Sequence, residues 1–428
     1  MNGNEVSRYE KFCQFKGEIR SSSDYLIVGI DAAKERHHAF FGTATGRTLL
    51  KRLLFDNNEA GFKRLVTRAT QLQLEYGLDR VVYGLEPTGN YHKPLSSWLL
   101  AHEQMLVLVS SKTISDNRQT LDGRWDKNDT KDCANVADLI AQGKCQFFEM
   151  PDPELVELRN LLSLRRRLKR NENAVRMQIR NGLVTKYFPE LDRHWASALT
   201  ENLAIVRWCL DPRKITAMGF DKFVRQVTRR DRGLPQQKRL ERIYDAAAVS
   251  IGCLMGENAY FEAQLQAERL EKIHEEIEQT EAEIKSVCES FPAYRQLLSI
   301  PGFGPYVASI VLARIGDPHR FKSRRQVIRL AGLDLNANRS GKKSNAAVPV
   351  ISKRGNAELR YALYQAGQIA SYHNDRFRAL FSRYLQGREK ERGIKTKMRI
   401  KLAVKMLVIA WTLMKKGEVF RPDQLIID

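Results

Sequence analysis

The sequence makes little use of cysteine and uses none of it in pairs. Six cysteines are scattered along 428 residues, no two of them are spaced as CxxC, and no histidine cluster accompanies them. A structural zinc site and a disulfide framework both need such groupings, so neither is expected. Unpaired cysteines are usual in a reducing compartment, which predicts a cytoplasmic protein.

Long hydrophobic runs are also missing. Residues 1–24 are polar and mixed in charge, without the apolar centre of a signal peptide. The best candidate for a membrane span, residues 402–414, is short for that purpose and is flanked by lysines. No membrane partner is therefore expected.

Negative charge is the third shortage. The chain has 71 Lys and Arg residues against 50 Asp and Glu residues, which gives a formal net charge of +21. This excess favours a polyanionic partner, because each phosphate that is neutralised releases condensed counterions. A basic chain whose charge serves only solubility is the alternative, and an excess of this size makes nucleic acid the better hypothesis.

The N-terminal part of the chain predicts an α/β domain. The whole chain is too long for one ordinary core, so two or three domains are expected. Short apolar runs mixed with helical periodicity are typical of a central sheet with helices packed on it. The predicted strands are residues 25–30, 38–42, 48–55, 80–85 and 105–109, and the predicted helix is 57–76.

The chain is predicted to consist of five segments, of which the second carries the sheet and the later ones are mainly helical. The segments are an N-terminal arm (1–24), an α/β catalytic domain (25–150), a basic helix with a helical insertion and a coiled coil (151–290), a mainly α C-terminal domain (291–375) and a basic helical tail (376–428).

The third segment begins with one long predicted helix, residues 154–187, which is unusually rich in arginine. A solvated helix face is the ordinary interpretation. The density of arginine favours a face that contacts phosphates along a nucleic-acid backbone. The arginines assigned to this contact are Arg165, Arg166, Arg167 and Arg170.

Residues 263–287 carry a heptad pattern typical of a short coiled coil. Leu270, Ile277 and Ile284 share one seam position, and Thr280 is one of two polar residues that interrupt the seam. The pattern leaves open whether this helix packs within the chain or against another copy.

Four acidic residues form the candidate metal site. Asp31 ends the first buried strand and Glu86 ends another, while Asp129 and Asp132 open a predicted helix. An i, i+3 spacing places the last two on one helical face, and strand ends in an α/β sheet point into the crevice where ligands bind.

Carboxylates that meet in one crevice repel one another unless a cation is present. Oxygen ligands of this kind suit Mg²⁺ or Mn²⁺, and two such ions about 3.5–4 Å apart can clamp the oxygens of a phosphoryl transfer. The alternative is ordinary for each acid alone: a strand-end residue is often only a cap, and acids at a helix N-terminus are favoured by the helix dipole.

A glycine turn in residues 299–308 predicts a helix–hairpin–helix. Gly302 and Gly304 would let the backbone approach a phosphate, which the N–H groups at the start of the next helix can then bind. This contact would be independent of base sequence. A purely structural turn between two helices is the alternative.

Ser340 lies next to Gly341 in a strongly cationic stretch, which makes it a candidate nucleophile. Nearby cations would hold a scissile phosphate and stabilise the charge of the transition state. Ser344 and Ser352 occupy similar surroundings, so physical reasoning does not rank Ser340 first. The cations are Arg339, Lys342, Lys343, Lys353, Arg354 and Arg360.

These motifs, in this order, resemble the IS-one-ten family of bacterial insertion-sequence transposases, which includes the Piv-type DNA invertases. The resemblance covers roughly residues 25–190 and 291–375. Its N-terminal motifs are GIDAAK (29–34), EPTG (86–89) and KNDTKD (127–132). Its C-terminal motifs are IPGFG (300–304), AGL (331–333), SG (340–341) and ISKRGN (351–356), followed by Arg360.

The resemblance implies a RuvC-like, RNase H-type fold for the first domain, with Asp31, Glu86, Asp129 and Asp132 as the metal-binding tetrad. It implies that Ser340 is the nucleophile and that recombination occurs within an oligomer, a dimer or tetramer. Some relatives are guided by a structured RNA, and the resemblance extends that expectation to this chain. This chain departs from the family by having Cys133 where alanine is commoner and by an extended middle and tail.

The function expected from residues and resemblance together is that of a DNA transposase or site-specific recombinase. It would act on double-stranded DNA, at element ends and target, with Mg²⁺ or Mn²⁺ and a serine nucleophile contributed by different domains or protomers. Two rival hypotheses remain at this point. One is a RuvC-like junction nuclease that uses water, and the other is a non-catalytic nucleic-acid-binding protein.

Overall fold

The computed structural model describes residues 8–87, 89–121, 129–148, 152–194, 200–230, 233–336 and 350–425. The chain divides into two compact units, Met1–Pro153 and Glu154–Asp428. Within the described part, no helix has the length and apolar character needed to cross a membrane.

The first unit contains a six-stranded sheet in the order β3-β2-β1-β4-β5-β6. Strands β1, β4 and β5 run parallel to one another, while β2, β3 and β6 pair antiparallel with their neighbours. The mixed α/β class predicted from the sequence is confirmed. The strands are β1 (Tyr25–Asp31), β2 (Arg36–Thr43), β3 (Thr48–Asp56), β4 (Arg80–Leu85), β5 (Leu106–Leu108) and β6 (Gln146–Phe147).

Helices cover both faces of this sheet. Leu65 of α2 and Leu99 of α3 belong to the core on one face, and Ile114 of α4 and Ile140 of α5 belong to the core on the other. Strand β1 is buried along nearly its whole length because both cores include its side chains. The helices are α1 (Arg8–Ser21), α2 (Glu59–Tyr76), α3 (His92–Ala101), α4 (Ser111–Leu121) and α5 (Asp129–Ala141).

Residues 8–21 differ from the loose arm that their polar composition suggested, because they form helix α1. Phe15 and Ile19 of this helix are buried in the same core as Tyr25 of β1. Phe15 also packs edge-on against Tyr25, with ring centroids 6.1 Å apart. Phe12 packs against the same core, with its ring 5.2 Å from that of Phe147, so a few apolar side chains dock a largely polar helix.

In its described residues, the second unit is helical apart from a two-stranded ribbon, β7 (Leu335–Asn336) with β8 (Val350–Ile351). Its first helix continues into a π-helical segment, Ile179–Val184. The helices are α6 (Pro153–Gln178), α7 (Thr185–Tyr187), α8 (Thr200–Trp208), α9 (Pro212–Met218), α10 (Phe220–Val227), α11 (Leu234–Ala248), α12 (Glu257–Glu289), α13 (Pro292–Leu298), α14 (Pro305–Ile315), α15 (Arg324–Leu330), α16 (Ala357–His373), α17 (Asp375–Leu385) and α18 (Ile394–Lys416).

Two hydrophobic cores hold the second unit together. One lies in the helical insertion and extends along α12 to Ile277. The other includes Val311 of α14, Leu363 of α16 and Met406 of α18, all of them fully buried. The basic tail that the sequence separated from residues 291–375 therefore shares a core with them.

Helix α12 is a single helix of 33 residues that spans the predicted coiled coil. Its seam residues Leu270 and Ile277 are buried in the core that α8 also enters. The polar interruption Thr280 satisfies its own hydroxyl by donating to the Glu276 carbonyl at 2.7 Å. The apolar face of this helix is thus packed inside the chain.

Candidate active site

A pair of glycines fixes where the last helix of the first unit crosses the sheet. Gly29 of β1 and Gly84 of β4 are register partners in the sheet. A Cβ at Gly29 would lie 2.1 Å from the Cys133 carbonyl oxygen, and one at Gly84 would lie 2.1 Å from the Ile140 side chain. Only residues without a side chain allow α5 to pack this closely. The glycines therefore seat the helix that carries Asp132.

This packing brings together three of the four predicted metal ligands. Asp31 ends β1, and Glu86 follows β4 directly at the same edge of the sheet. Asp132 lies in the first turns of α5 and is 6% exposed. All three line one cavity of about 480 Å³, together with Lys34 and Tyr91.

The fourth acid, Asp129, is the first residue of α5. Its backbone position places it one turn before Asp132 on the same helix. Its side chain lies outside the described residues. Among the side chains that are described, no three from His, Cys, Asp and Glu are close enough together to hold a metal ion.

An arginine that sequence reasoning missed contacts this cavity. Arg118 of α4 donates from Nε to Asp132 Oδ1 at 3.0 Å, and its second nitrogen lies 2.7 Å from the same oxygen. Both side chains are largely buried, at 25% and 8% exposure. The guanidinium partly offsets the negative charge of the acids, and nothing in the spacing of Arg118 marked it in advance.

A buried histidine holds the loop that follows Asp31. The Ala33 N–H donates to His37 Nδ1 at 3.1 Å, and the His37 ring packs 5.1 Å from the Phe55 ring. Burial lowers the pKa of His37, because the charged imidazolium loses its hydration. A neutral imidazole with its Nδ1 lone pair free is what this contact needs.

The candidate nucleophile, Ser340, lies in residues 337–349, which are outside the described part of the chain. Five predicted residues fall in that interval: Ser340, Ser344, Arg339, Lys342 and Lys343. The two motifs that flank the interval are described, and they contact each other.

The flanking motifs meet through Gly332 and Gly355. A Cβ at Gly355 would lie 2.3 Å from the Gly332 nitrogen. The Lys353 N–H donates to the Gly332 carbonyl at 3.0 Å, which ties the second motif to the first. Asn356 then caps α16 by accepting from the Leu359 N–H at 2.8 Å. The loop and the start of α16 are therefore fixed by short backbone contacts.

The predicted cations of this region divide into two groups. Arg360 donates to the Ala331 carbonyl at 2.9 Å, which assigns it to holding the motif loops together. Lys353 and Arg354 are exposed. Lys353 also has φ +55°, a left-handed conformation that a lysine adopts only at an energetic cost. The exposed pair remains available for phosphate.

The two glycines of the predicted phosphate-binding turn also differ from each other in their surroundings. Helix α13 ends at Leu298 and α14 begins at Pro305, so the glycine turn lies between two helices. A Cβ at Gly302 would lie 2.5 Å from the Ala366 carbonyl oxygen of α16, so this glycine serves internal packing. A Cβ at Gly304 would meet nothing within 4 Å, and the N-terminus of α14 has no side-chain cap. Only Gly304 keeps the open approach expected for a phosphate contact.

One of the four arginines predicted to contact phosphate on the basic helix has partners inside the protein. Arg165 is paired with Glu281 at 2.6 Å and stacks 3.9 Å from the Tyr306 ring centre, which assigns it to packing between helices. Arg166, Arg167 and Arg170 are exposed. These three keep the orientation that a phosphate-contacting face requires.

Comparison with known proteins gives the class of this chain. Residues 28–189 match a family of DEDD transposases, and residues 294–382 match the family described as transposase IS116/IS110/IS902. The first match contains Asp31, Glu86, Asp129 and Asp132, and the two matches together cover more than half of the sequence. The fold and its acidic cavity thus belong to a DNA transposase, an enzyme that cleaves and transfers DNA strands.

Similar proteins cover nearly the whole chain. The transposase for insertion sequence element IS1111A of Coxiella burnetii is 24% identical over 97% of both chains. The IS116 44.8 kDa protein of Streptomyces clavuligerus is 26% identical, over 93% of this chain and 97% of its own. The pilin gene-inverting protein of Moraxella lacunata is 23% identical, over 92% and 97%. The chain belongs to the IS110 family of transposases, which confirms the resemblance seen in its motifs.

The extended middle and tail that seemed unusual for the family are matched in these relatives. The C. burnetii transposase aligns over 416 residues, so little of this chain is additional to it. The expected departure in length is therefore wrong for this relative.

Proposed function

We propose that this transposase cuts and rejoins DNA with a metal-binding tetrad, Asp31, Glu86, Asp129 and Asp132, and with Ser340 as its nucleophile. The observation that carries the first part is the shared cavity of Asp31, Glu86 and Asp132, which come from β1, β4 and α5. The parallel pairing of β1 with β4 and the seating of α5 on Gly29 and Gly84 bring the three acids to one cavity, and carboxylates gathered in this way favour a bound cation.

The proposal includes a RuvC-like, RNase H-type fold for the first unit. A sheet in the order β3-β2-β1-β4-β5, with β1 and β4 parallel at its centre, places acids from both central strands at one edge. A helix packed across those strands then supplies the remaining acids. The observed position of α5 over Gly29 and Gly84 fits this arrangement.

Mg²⁺ or Mn²⁺ fits the donor set, because every candidate ligand offers a hard carboxylate oxygen. When bound, such an ion polarises phosphate oxygens and stabilises the developing charge of phosphoryl transfer. The residues of this chain position that chemistry. Arg118 holds Asp132 in place, and His37 holds the backbone that follows Asp31.

Ser340 would attack the scissile phosphorus. A bond forms between Ser340 Oγ and phosphorus, the bond from phosphorus to the leaving-strand oxygen breaks, the serine proton passes to solvent, and the leaving oxygen gains a proton. One phosphate ester replaces another, so a strand hydroxyl can reverse the step without ATP. Nearby cations would stabilise the charge on the five-coordinate phosphorus of the transition state, namely Arg339, Lys342, Lys343, Lys353 and Arg354.

The partners follow from the same proposal. Double-stranded DNA, at the element ends and at the target, would contact Arg166, Arg167 and Arg170 through its phosphates and the N-terminus of α14 at Gly304. Recombination of two DNA partners needs more than one active site, which calls for a homo-oligomer, a dimer or tetramer. A structured guide RNA, as the family resemblance implies for some relatives, would choose the target.

The family assignment does not favour the two rival hypotheses. A non-catalytic nucleic-acid-binding protein would not need the acidic cavity of a transposase family. A junction nuclease that uses water would not need Ser340. The serine therefore distinguishes the proposal from the second rival.

A covalent adduct assay tests the serine. The purified protein is incubated with end-labelled DNA that flanks the gene, in Mg²⁺, and is then denatured and separated by mass. The wild type and Ser344→Ala are expected to form a labelled protein–DNA adduct, and Ser340→Ala is expected to form none. Metal-dependent cleavage that persists in Ser340→Ala would contradict the proposal and favour the water-using nuclease.

A further inference from the structure

Helix α16 exposes an aromatic and amide stripe that the transposase motifs do not account for. Tyr361, Gln365, Gln368 and Tyr372 follow at i, i+4, i+7 and i+11, which places them on one side of the helix within about 60° of arc. Tyr361 is 60% exposed and Tyr372 is 56% exposed. The opposite side of the helix is buried in the core of the second unit. We call these four residues the tyrosine stripe.

The hydroxyls of both tyrosines are already used inside the protein. Gln365 donates from its amide nitrogen to the Tyr361 hydroxyl at 3.2 Å. Arg399 of α18 donates to the Tyr372 hydroxyl, and its guanidinium carbon lies 5.2 Å from the centre of the Tyr372 ring. The rings are held in place, so what they offer a partner is an aromatic face.

The charges around the stripe are positive at both ends. Lys353 and Arg354 are exposed directly before α16, while Arg399 lies against the ring of Tyr372. The acid near the first tyrosine, Glu358, is paired with Arg314 at 2.7 Å, which offsets its charge. Between the two ends the stripe itself carries only neutral amides. A nucleic acid with unpaired bases fits this pattern, because its phosphates match the cations and its base rings match the tyrosine rings.

We infer that the tyrosine stripe binds unpaired DNA, with bases stacked on Tyr361 and Tyr372 and phosphates near the cations at the two ends. Stacking on aromatic side chains beside cations is how single strands are bound without sequence preference. The two rings are 11 residues apart, which is about 16 Å along the helix and spans several nucleotides. In a duplex, the base faces would be hidden in the stack.

The choice of DNA rests on the proposed function in one respect. Lys353 and Arg354 contact the cleaved strand in that proposal, and α16 begins four residues after Lys353. A strand that passes this loop and becomes unpaired meets the stripe next. The stripe itself, with its exposure and its cations, is independent of whether Ser340 is the nucleophile.

Fluorescence anisotropy with the full-length protein tests the inference. The probes are a labelled 20-nucleotide oligothymidylate, the corresponding duplex, and oligouridylate of the same length. Tyr361→Ala and Tyr372→Ala are each expected to weaken binding of the single-stranded DNA about 5- to 150-fold, the range that corresponds to loss of one stacking side chain. Tyr361→Phe and Tyr372→Phe keep the ring and are expected to bind as the wild type does.

Val419→Ala is the matched control, because Val419 is 53% exposed in the same unit but lies outside the stripe. It is expected to bind all three probes unchanged. Equal weakening by the Phe and Ala variants would overturn the inference, because it would show hydrogen bonding in place of stacking. So would equal losses for the duplex, or a loss confined to oligouridylate, which would identify RNA as the occupant. A change of oligomeric mass without any loss of binding would identify a protein interface.

A second measurement does not depend on how the variants fold. Single-stranded DNA containing 5-iododeoxyuridine is photo-crosslinked to the wild-type protein, and the adduct peptide is identified by mass spectrometry. Adducts are expected at Tyr361 or Tyr372, and adducts found only elsewhere would overturn the inference. Asp31→Asn is expected to keep single-strand binding while losing cleavage. Cleavage that still needs Asp31, together with binding indifferent to both tyrosines, would refute the stripe and leave the proposed function standing.

Discussion

The acidic cavity of the first unit and the motif loops of the second are both built on a pair of glycines, yet the glycines do different work. Gly29 and Gly84 lie side by side in a sheet and let α5 settle on it. Gly332 and Gly355 let two loops touch backbone to backbone. The first pair seats the helix that carries the buried Asp132, while the second leaves Lys353 exposed in a strained conformation.

The difference reflects what each region has to hold. Ligands of a small divalent ion tolerate little displacement, so they are best carried by rigid strands and a packed helix. A long polyanion is held by charge at many points, and loops suffice for that. Substitutions of the acids in the first region should therefore abolish chemistry, while substitutions of the exposed cations in the second should also change the affinity for DNA.

The largest expected effect is on DNA cleavage. Asp31→Asn and Glu86→Gln should each lower the rate of Mg²⁺-dependent cleavage by at least about 10²–10³-fold. Each variant loses a carboxylate ligand, which weakens binding of the metal ion whose positive charge stabilises the transition state. The rate is measured on a plasmid that carries the DNA flanking the gene, and EDTA should abolish it. Asp79→Asn is the control, since Asp79 is exposed at the opposite end of β4. An equal loss in that variant would remove the distinction between the two ends of the sheet.

The next effect is on the stability of the first unit. Gly29→Ala should lower the free energy of unfolding by about 1–3 kcal/mol, because the added Cβ meets the Cys133 carbonyl and α5 has to shift. Gly17→Ala should raise it by about 0.5–1 kcal/mol, because Gly17 lies in helix α1 with open space around it. Chemical denaturation measures both, and a gain in stability for Gly29→Ala would show that the glycine does not seat α5.

Sequence reasoning reached the parts of the first unit that depend on local order. The strands β1 and β4, the helix α2 and the positions of Asp31 and Glu86 follow from apolar runs and their ends. It missed Arg118, because the partner of that arginine, Asp132, lies 14 residues away on a different helix. Pairings of this kind have no periodic signature.

In the second unit, some residues that the sequence assigned to phosphate binding also have contacts inside the protein. Gly302, Arg165 and Arg360 all lie in motifs or cationic runs that suggest phosphate binding. The structure uses them against Ala366, Glu281 and Ala331 of the same unit. The sequence alone does not distinguish a glycine or arginine that contacts protein from one that contacts nucleic acid. The contacts become visible only in the folded structure.

A pH series tests how firmly the first region is held. Burial keeps the pKa of His37 below its ordinary value of 6.5, so the unfolded chain binds the proton more tightly than the folded one. The contribution of His37 to stability is therefore complete above about pH 6.5 and is lost as the pH falls below it, with a slope of at most about 1.4 kcal/mol per pH unit.

His37→Gln keeps an acceptor for the Ala33 N–H and removes the titrating group. Denaturation midpoints from pH 7.5 to pH 5 should fall less steeply in this variant than in the wild type. Other histidines contribute equally to both proteins and cancel. Parallel pH profiles would show that His37 is not the group that loosens the Asp31 loop in acid.

The smallest effect is expected in the second region, at Lys353. Its φ of +55° costs a lysine about 1 kcal/mol that a glycine would not lose, so Lys353→Gly should raise the stability of the second unit by about that amount. If the strain is retained in order to present the ammonium group to DNA, the same variant should bind duplex DNA more weakly. The slope of log affinity against log salt should then fall by about one.

Arg354→Gly separates the two effects, because Arg354 is equally exposed but has no left-handed backbone. This variant should lose a similar part of the salt slope without any gain in stability. Thermal unfolding and salt titrations on the three proteins give both quantities. A gain in stability for Lys353→Gly with an unchanged salt slope would show that the strain at Lys353 serves the contact between the loops and not the binding of DNA. The two regions would then differ less than their geometry indicates.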